Sequence, residues 1–196
     1  HAYPETENRA NIQWEGNLSG IKDAIRRQID TSGTLLLRVS KTLSDDGFFD
    51  EPANGGSMAW TLTHLFTLQD WARNRVFGGV EPRVDRASRE AFKGGRAVYD
   101  EDRDRFGTRR EIENAFANEQ YRTIAALNAF DVAKWDQPTP SGCRFPAYGA
   151  LWEHLAAHNY WHLGALSVSH PHILHLTLVA PRFYSVDPEE MAAEGV

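Results

Sequence analysis

The chain has 196 residues, and its 27 acidic and 21 basic side chains give a net charge of -6. This acidic balance disfavours a protein that binds the phosphate backbone of nucleic acid. Hydrophobic residues make up 41% of the chain, but no apolar run approaches the ~20 residues that span a membrane. The length suits one soluble domain, and we expect residues 1–196 to form it, with a core over about 18–169.

Cysteine usage bears on the cellular compartment. The single cysteine, Cys143, excludes an internal disulfide, and the sequence shows no basic start followed by the apolar run of a signal peptide. We therefore expect a cytoplasmic protein. Cys143 precedes the last predicted helix and can approach a site there, but we interpret it as an ordinary thiol.

Apolar residues that recur at intervals of three, four and, once, seven positions predict a first helix over about 18–43. Asn17 or Ser19 would cap its start, and Asp45-Asp46-Gly47 would stop it. Gln28 and Ser32 fall on the inward stripe. The apolar residues of the stripe are Leu18, Ile21, Ile25, Ile29, Leu36, Val39 and Leu43.

A second helix is predicted from about Ser57 to Phe77, where Gly78-Gly79 ends it. It is apolar almost all round, which favours a central position. Residues 78–108 show no sustained period and form a link too long for a tight helix hairpin. Since ~10 extended residues can run back along a helix of ~30 Å, this link allows the second and third helices to be parallel.

The third helix is predicted from about Arg109 to Val132 and the fourth from about Pro146 to Ser169, with a Pro-rich loop between them. Glu119 falls on the apolar face of the third helix, which is made by Ile112, Phe116, Thr123, Leu127 and Phe130. The predicted fold is therefore all-α with four long helices. Only residues 173–179 suggest a short extended piece.

Three histidines recur every four residues in the fourth helix, at His154, His158 and His162. Each step turns a helix by about 40°, so the three form one stripe. A wheel centred on this stripe puts apolar residues around it and places the solvent side at Glu153, Asn159, Tyr160 and Ser167. Buried imidazoles need partners for their ring nitrogens, and a metal ion is the most economical one.

A third ligand is expected from another helix, and His64 is the other histidine inside a predicted core helix. Taken alone, His64 is better interpreted as a hydrogen-bonded core histidine, whereas the set of His64, His158 and His162 favours a metal site. Such a set would leave coordination positions open for water or substrate, as catalytic sites do.

Other polar residues have weaker functional interpretations. His154 is a fourth ligand, a pocket-lining residue or, as we favour, a hydrogen-bond partner of a ligand. Glu119 is a candidate general base or partner of a ligand imidazole, against the alternative of a side chain that extends to water; Gln28 is equally ambiguous. The tail histidines, namely His170, His172 and His175, are better interpreted as surface or packing residues.

Several catalytic motifs are absent. The segment His154-Leu-Ala-Ala-His158 lacks the Glu that a zincin carries directly after its first histidine. The predicted helices hold no Glu-x-x-His pair, which disfavours a carboxylate-bridged di-iron bundle. The chain also lacks Gly-x-Ser-x-Gly, a phosphate loop and Gly-x-Gly-x-x-Gly.

Two motifs resemble the DinB/YfiT-like family, a group of candidate metalloenzymes. They are Ser57-Met-Ala-Trp-Thr-Leu-Thr-His64-Leu and the later His158-x-x-x-His162-x-Gly164. The resemblance implies an up-down-down-up four-helix bundle in which His64, His158 and His162 hold one divalent metal, often zinc or nickel. One departure is clear: many members have His-Arg-Gly-Gln at the last ligand, where this chain has His162-Leu163-Gly164-Ala165.

The resemblance implies fold and metal more closely than reaction, because relatives include thiol-dependent transferases and isomerases. Our first hypothesis is an enzyme acting on a small-molecule substrate, in which the metal activates water or a low-molecular-weight thiol. Its pocket would be walled by Trp60, Trp71 and Trp161, with Arg75 as a candidate basic residue at the entrance. The alternatives are a non-catalytic metal-stabilised or metal-sensing module, and a metal-free dimerisation or stress-response bundle; a homodimer fits either.

Overall fold

The computed structural model describes residues 15–51, 56–94 and 105–171. Over these ranges the chain is all-α, as predicted, without a β-strand. The helices within these described ranges are α1 (Glu15–Thr42), α2 (Asp45–Phe49), α3 (Met58–Trp71), α4 (Arg86–Ala91), α5 (Arg109–Ala129) and α6 (Tyr148–Ser169). A π-helical segment, Ala72–Phe77, extends α3, and a 3-10 turn, Val132–Lys134, follows α5. None of the described helices has the length and apolarity needed to cross a membrane.

Side-chain caps set where α3 and α5 begin. The Ser57 hydroxyl accepts a hydrogen bond from the Trp60 amide at 3.0 Å. At α5, the Thr108 hydroxyl accepts from the Glu111 amide, and the Glu111 carboxylate accepts from the Thr108 amide at 2.7 Å. These bonds satisfy amides that have no partner within the first turn of a helix.

The bounds predicted for the first helix are close to those of α1, but the residues predicted to cap and to stop it need correction. Asn17 and Ser19, the predicted capping residues, lie inside α1, which the structure describes from Glu15. Helix α1 ends at Thr42, before Asp45-Asp46-Gly47. These three residues form the first turn of α2, because the Ser44 hydroxyl accepts a hydrogen bond from the Gly47 amide at 3.1 Å. The two aspartates at a helix start are favourable there, since the helix dipole is positive at that end.

Two apolar clusters fill the space between the long helices. The first joins the end of α1, the start of α3, the start of α5 and the end of α6; it includes Leu36, Val39, Met58, Leu62, Ile112, Phe116, Leu163 and Leu166. The second joins the opposite ends of the same helices and includes Ile25, Ile29, Ala72, Val76, Leu127, Leu151, Trp152 and Leu155. Helix α1 packs on α5 and α6, and α3 packs on the same two helices.

Two of the predicted helix faces are confirmed. All eight residues from Met58 to Leu65 are buried, so α3 is the central helix that its all-round apolarity predicted. On α5, Glu119 is buried together with Ile112, Phe116, Thr123 and Leu127 of the predicted apolar face, whereas Phe130 follows the helix and is half-buried. Contacts from both sides of α3 explain why its sequence shows no polar stripe.

The predicted orientation of the fourth helix needs correction. Asn159, placed on the solvent side by the sequence, is completely buried, whereas Trp161 is 68% exposed. The buried face is centred near Asn159, about 100° round the helix from His158, so the histidine stripe lies at the edge of the core. Gln28 was also predicted to face inward and is exposed, although Ser32 is buried as expected.

Asn159 belongs to a buried hydrogen-bond chain that joins all four long helices. Its Nδ2 donates to Ser32 Oγ on α1 at 3.0 Å, and its Oδ1 accepts from Gln69 Nε2 on α3 at 3.3 Å. Thr123 on α5 then donates to Gln69 Oε1 at 3.3 Å. Each amide or hydroxyl group thus has a partner, which offsets the cost of burying it. We call these four residues the amide network.

Candidate metal centre

His64, His158 and His162 converge at the edge of the core. His64 Nε2 lies 3.4 Å from His158 Nε2, and His162 Nε2 lies 3.2 Å from His158 Nε2. One potential ligand atom from each residue falls within 4.8 Å of the other two. His64 and His158 are buried and His162 is half-buried, so the cluster reaches the surface at one side. The three histidines predicted from sequence are the ones that the fold brings together; we call them the histidine cluster.

Helix geometry accounts for this convergence. His158 and His162 are one turn apart on α6, so their rings lie on the same side of the helix. His64 comes from the buried middle of α3, which packs against α6. The i, i+4 spacing could be recognised in the sequence, whereas the contact between α3 and α6 could be seen only in the tertiary structure.

A backbone carbonyl fixes the orientation of His64. Its Nδ1 lies 2.6 Å from the carbonyl oxygen of Phe92. A carbonyl only accepts hydrogen bonds, so Nδ1 carries the hydrogen, and Nε2 of the neutral ring presents a lone pair to the cluster. Such a bond on the remote nitrogen is typical of metal-binding histidines. Phe92 lies in the crossover after α4, and sequence reasoning did not identify it, since a backbone carbonyl has no residue-type signal.

Tryptophan rings bound the cluster. Trp60 stacks on His64 with ring centroids 4.8 Å apart and lies 5.9 Å from the ring of His162. Trp161 contacts the ring of His158 edge-on at 6.1 Å but is mostly exposed. Trp71 packs instead against the second apolar cluster. Of the three predicted wall residues, Trp60 and Trp161 therefore lie against the histidines.

Burial keeps the imidazoles neutral. It is the main reason that the pKa of His158 falls to about 2 and that of His162 to about 4, with a further contribution from neighbouring histidines. Burial also lowers the pKa of His64, although the Phe92 carbonyl opposes this effect. Neutral imidazole is the form that binds metal, so at pH 7 protons do not compete for these nitrogens.

The cluster fits a divalent cation better than it fits hydrogen bonding alone. Because His64 Nε2 is unprotonated, a hydrogen on His158 Nε2 would have to serve both His64 and His162. Nitrogens bound at about 2.0–2.1 Å to one tetrahedral zinc stand about 3.3 Å apart, close to the two short separations in the cluster. His64, His158 and His162 are thus suited to hold one ion.

His154 lies beside the cluster rather than in it. Its ring stacks on that of His158 with centroids 4.8 Å apart and packs on Phe145 at 4.6 Å. Its Nε2 accepts a hydrogen bond from Arg144 Nη2 at 3.2 Å. His154 is not among the converging nitrogens. The favoured role, a hydrogen bond to a ligand histidine, is wrong among the described contacts, because the ring stacks on His158 and its Nε2 bonds with Arg144 instead; the position corresponds to the alternative of a lining residue. Arg144 was missed because it lies in the loop before α6, where no periodicity identifies its direction.

The weaker sequence candidates lie elsewhere. Glu119 is 3% exposed and forms an ion pair with Arg73 at 2.7 Å, which gives this carboxylate a structural partner. Arg75 is exposed and pairs with Glu81 at 3.1 Å. Cys143 packs against the second apolar cluster. His170 hydrogen-bonds with Ser169, whereas His172 and His175 lie outside the described residues, as does the extended piece expected at 173–179.

Comparison with known proteins identifies the family. No curated protein and no solved structure matches the chain. The family model described as the DinB superfamily matches residues 28–166, more than two thirds of the chain. This range includes His64, His158 and His162. The chain therefore belongs to the DinB superfamily.

Proposed function

We propose that this protein binds one divalent metal through His64, His158 and His162 and uses it in catalysis. The observation that carries the proposal is the convergence of three Nε2 atoms, at 3.2 and 3.4 Å from one another in the two closest pairs. Zinc and nickel are the proposed metals, since imidazole suits both.

The shape of the site favours chemistry over a purely structural ion. Three protein ligands leave coordination positions open, whereas structural zinc sites are closed by four. His154 is not positioned as a fourth ligand, and the half-buried His162 leaves one side of the cluster accessible. When bound, a divalent cation supplies Lewis acidity, which lowers the pKa of a coordinated water or thiol.

The proposed reaction class is hydrolysis, or transfer or isomerisation that uses a low-molecular-weight thiol. His64 is oriented by the Phe92 carbonyl, and Trp60 covers one face of its ring. His154 has a ring nitrogen at the edge of the cluster and is the residue that we propose to move a proton there. The proposed substrate is a small molecule, because the open side of the cluster is limited to the half-buried His162, while His64 and His158 are buried.

We also propose the up-down-down-up helix order for the four long helices. Contacts between helix ends support it. Lys22, near the start of α1, donates to the carbonyl of Asn128 near the end of α5, while Arg109 at the start of α5 donates to the carbonyl of Ser40 near the end of α1. The starts of α3 and α5 share the first apolar cluster with the ends of α1 and α6.

Elemental analysis of untagged protein tests the metal site. We expect about one equivalent of zinc or nickel in the wild type and loss of the metal in His64→Ala, His158→Ala and His162→Ala. His170→Ala is the matched control and should keep its metal. Near-zero metal in the wild type after zinc or nickel addition, with an unchanged melting temperature, would refute the site. If the wild type holds the metal, the next experiment is a screen of hydrolase and thiol-transfer substrates.

A non-catalytic metal-stabilised module is the alternative. The observation that favours it is that the histidine cluster spans α3 and α6, so one ion would tie these helices together. The two functions differ in whether the open positions are used. If the loaded protein binds neither a small thiol nor an anion at the metal, as judged from the visible spectrum of its cobalt form, the structural role is correct.

A further inference from the structure

Arg144 is a cation placed directly beside the histidine cluster. Its Nη2 lies 3.2 Å from His154 Nε2, and the His154 ring stacks on His158. One imidazole ring therefore separates the guanidinium from the nearest of the three converging histidines.

The loop that carries Arg144 is anchored on both sides. Phe145 is half-buried against the second apolar cluster, and its ring packs on His154 and under the Arg144 guanidinium at 4.9 Å. The Thr139 hydroxyl donates to the Phe145 carbonyl. Gly142 turns the chain with a φ of +87°, a conformation that glycine adopts without strain. These contacts hold the guanidinium near the cluster.

The charge of Arg144 has no carboxylate partner among the described residues. Its contacts there are the neutral His154 nitrogen and the face of Phe145, and it is absent from their ion pairs, whereas Arg73, Arg75 and Arg109 each pair with an acid. A guanidinium has five donors, of which His154 takes one, so Arg144 keeps donors for a ligand.

We propose that Arg144 is a specificity residue that binds a carboxylate group of the ligand at the metal. This inference rests on the proposed function, because the remainder of the ligand would reach the ion held by His64, His158 and His162. The planar fork of arginine matches a carboxylate in a two-point contact that a lysine ammonium cannot reproduce. The substrate class is therefore a small molecule with a carboxylate next to its reacting group.

Two thiols that differ in charge provide the test. Cobalt-substituted protein is titrated with 3-mercaptopropionate and with 2-mercaptoethanol, and the thiolate-to-cobalt absorption band reports binding of each. Arg144→Gln should weaken the binding of 3-mercaptopropionate about tenfold, which is the size of one exposed charge-assisted contact. The binding of 2-mercaptoethanol should stay nearly unchanged. Arg144→Lys should restore only part of the loss. Arg75→Gln, which removes an ion-paired surface arginine, is the matched control and should change neither.

The outcomes separate this inference from the proposed function. A wild type that takes up no cobalt refutes the metal site and this inference with it. If the wild type takes up cobalt but Arg144→Gln weakens the binding of both thiols equally, or of neither, the role of Arg144 is refuted. The metal site then still stands. Circular dichroism of each variant shows whether a loss reflects unfolding.

Discussion

The amide network and the histidine cluster are two sets of polar side chains placed among the same helices, and they differ in how their hydrogen-bonding groups are used. Asn159, at the centre of the network, has a protein partner for both its donor and its acceptor. His158, at the centre of the histidine cluster, has a buried Nδ1 without a partner among the described residues and an Nε2 that faces two other imidazole nitrogens.

This difference separates a polar group that stabilises the fold from one that is available to a ligand. A buried network that satisfies itself holds helices in one register and needs nothing further. A cluster with unshared lone pairs costs free energy unless something else binds them. Adjacent residues on α6, His158 and Asn159, serve these two purposes because they face different sides of one helix.

Acid should produce the largest effect, and it should act on only one of the two regions. Burial lowers the pKa of His158 to about 2 and that of His162 to about 4 in the folded protein, against an ordinary value of 6.5. The unfolded chain therefore takes up protons first, and stability present above about pH 6.5 is lost as the pH falls towards 4. For the metal-free protein we expect the free energy of unfolding to decrease by about 4 kcal/mol between pH 6 and pH 4.

Urea unfolding at several pH values measures this loss. His158→Gln should make the pH dependence shallower, since one of the protonation steps is removed. Asn118→Ala, an exposed substitution on α5, should leave the slope as in the wild type. Equal slopes in His158→Gln and the wild type would contradict the assignment of the acid sensitivity to the cluster.

Asn159→Ala tests the network at its centre. Truncation leaves Ser32 and Gln69 without their partner and opens a cavity in a fully buried position, so we expect a loss of about 3 kcal/mol in the free energy of unfolding. At this chain length that lowers the melting temperature by about 6–12 °C. A decrease no larger than that of Asn118→Ala, measured by thermal melts at pH 7.5, would mean that the amide network adds little.

Zinc addition tests the cluster without changing the network. At a free zinc concentration one hundred times the dissociation constant, a site present only in the folded protein adds about 2.7 kcal/mol to the free energy of unfolding. We expect this increase in the wild type and in Thr123→Val, but not in His64→Ala. If zinc stabilised His64→Ala as much as the wild type, the ion would bind elsewhere.

Thr123→Val should give the smallest effect. It removes one hydrogen bond, the donation to Gln69 Oε1, from the end of the network and keeps the shape of the side chain, so a cost of about 1 kcal/mol is expected. Thermal melts with and without zinc at pH 7.5 measure it. The cost should be the same in both conditions, because distant sites contribute independently; a zinc-dependent cost would show that the two regions are coupled.

Much of the fold could be predicted from periodicity, because long amphipathic segments record which residues are buried. The apolar face of α5 and the all-round apolarity of α3 were recognised in this way. The i, i+4 spacing of His158 and His162, with His64 on a second core helix, gave the candidate ligands. Asn159 was misplaced because a polar residue signals solvent in a helical wheel, whereas its burial depends on partners from other helices.

Sequence alone determined the chemistry that is available: three imidazoles, their spacing along α6, and the helices that carry them. Only the tertiary structure decided how that chemistry is arranged. It brought α3 against α6, placed the Phe92 carbonyl on His64, and set Arg144 beside His154. The physical reason is that side-chain spacing within a helix is local, whereas the partner of a backbone carbonyl or a loop side chain depends on segments far apart in sequence.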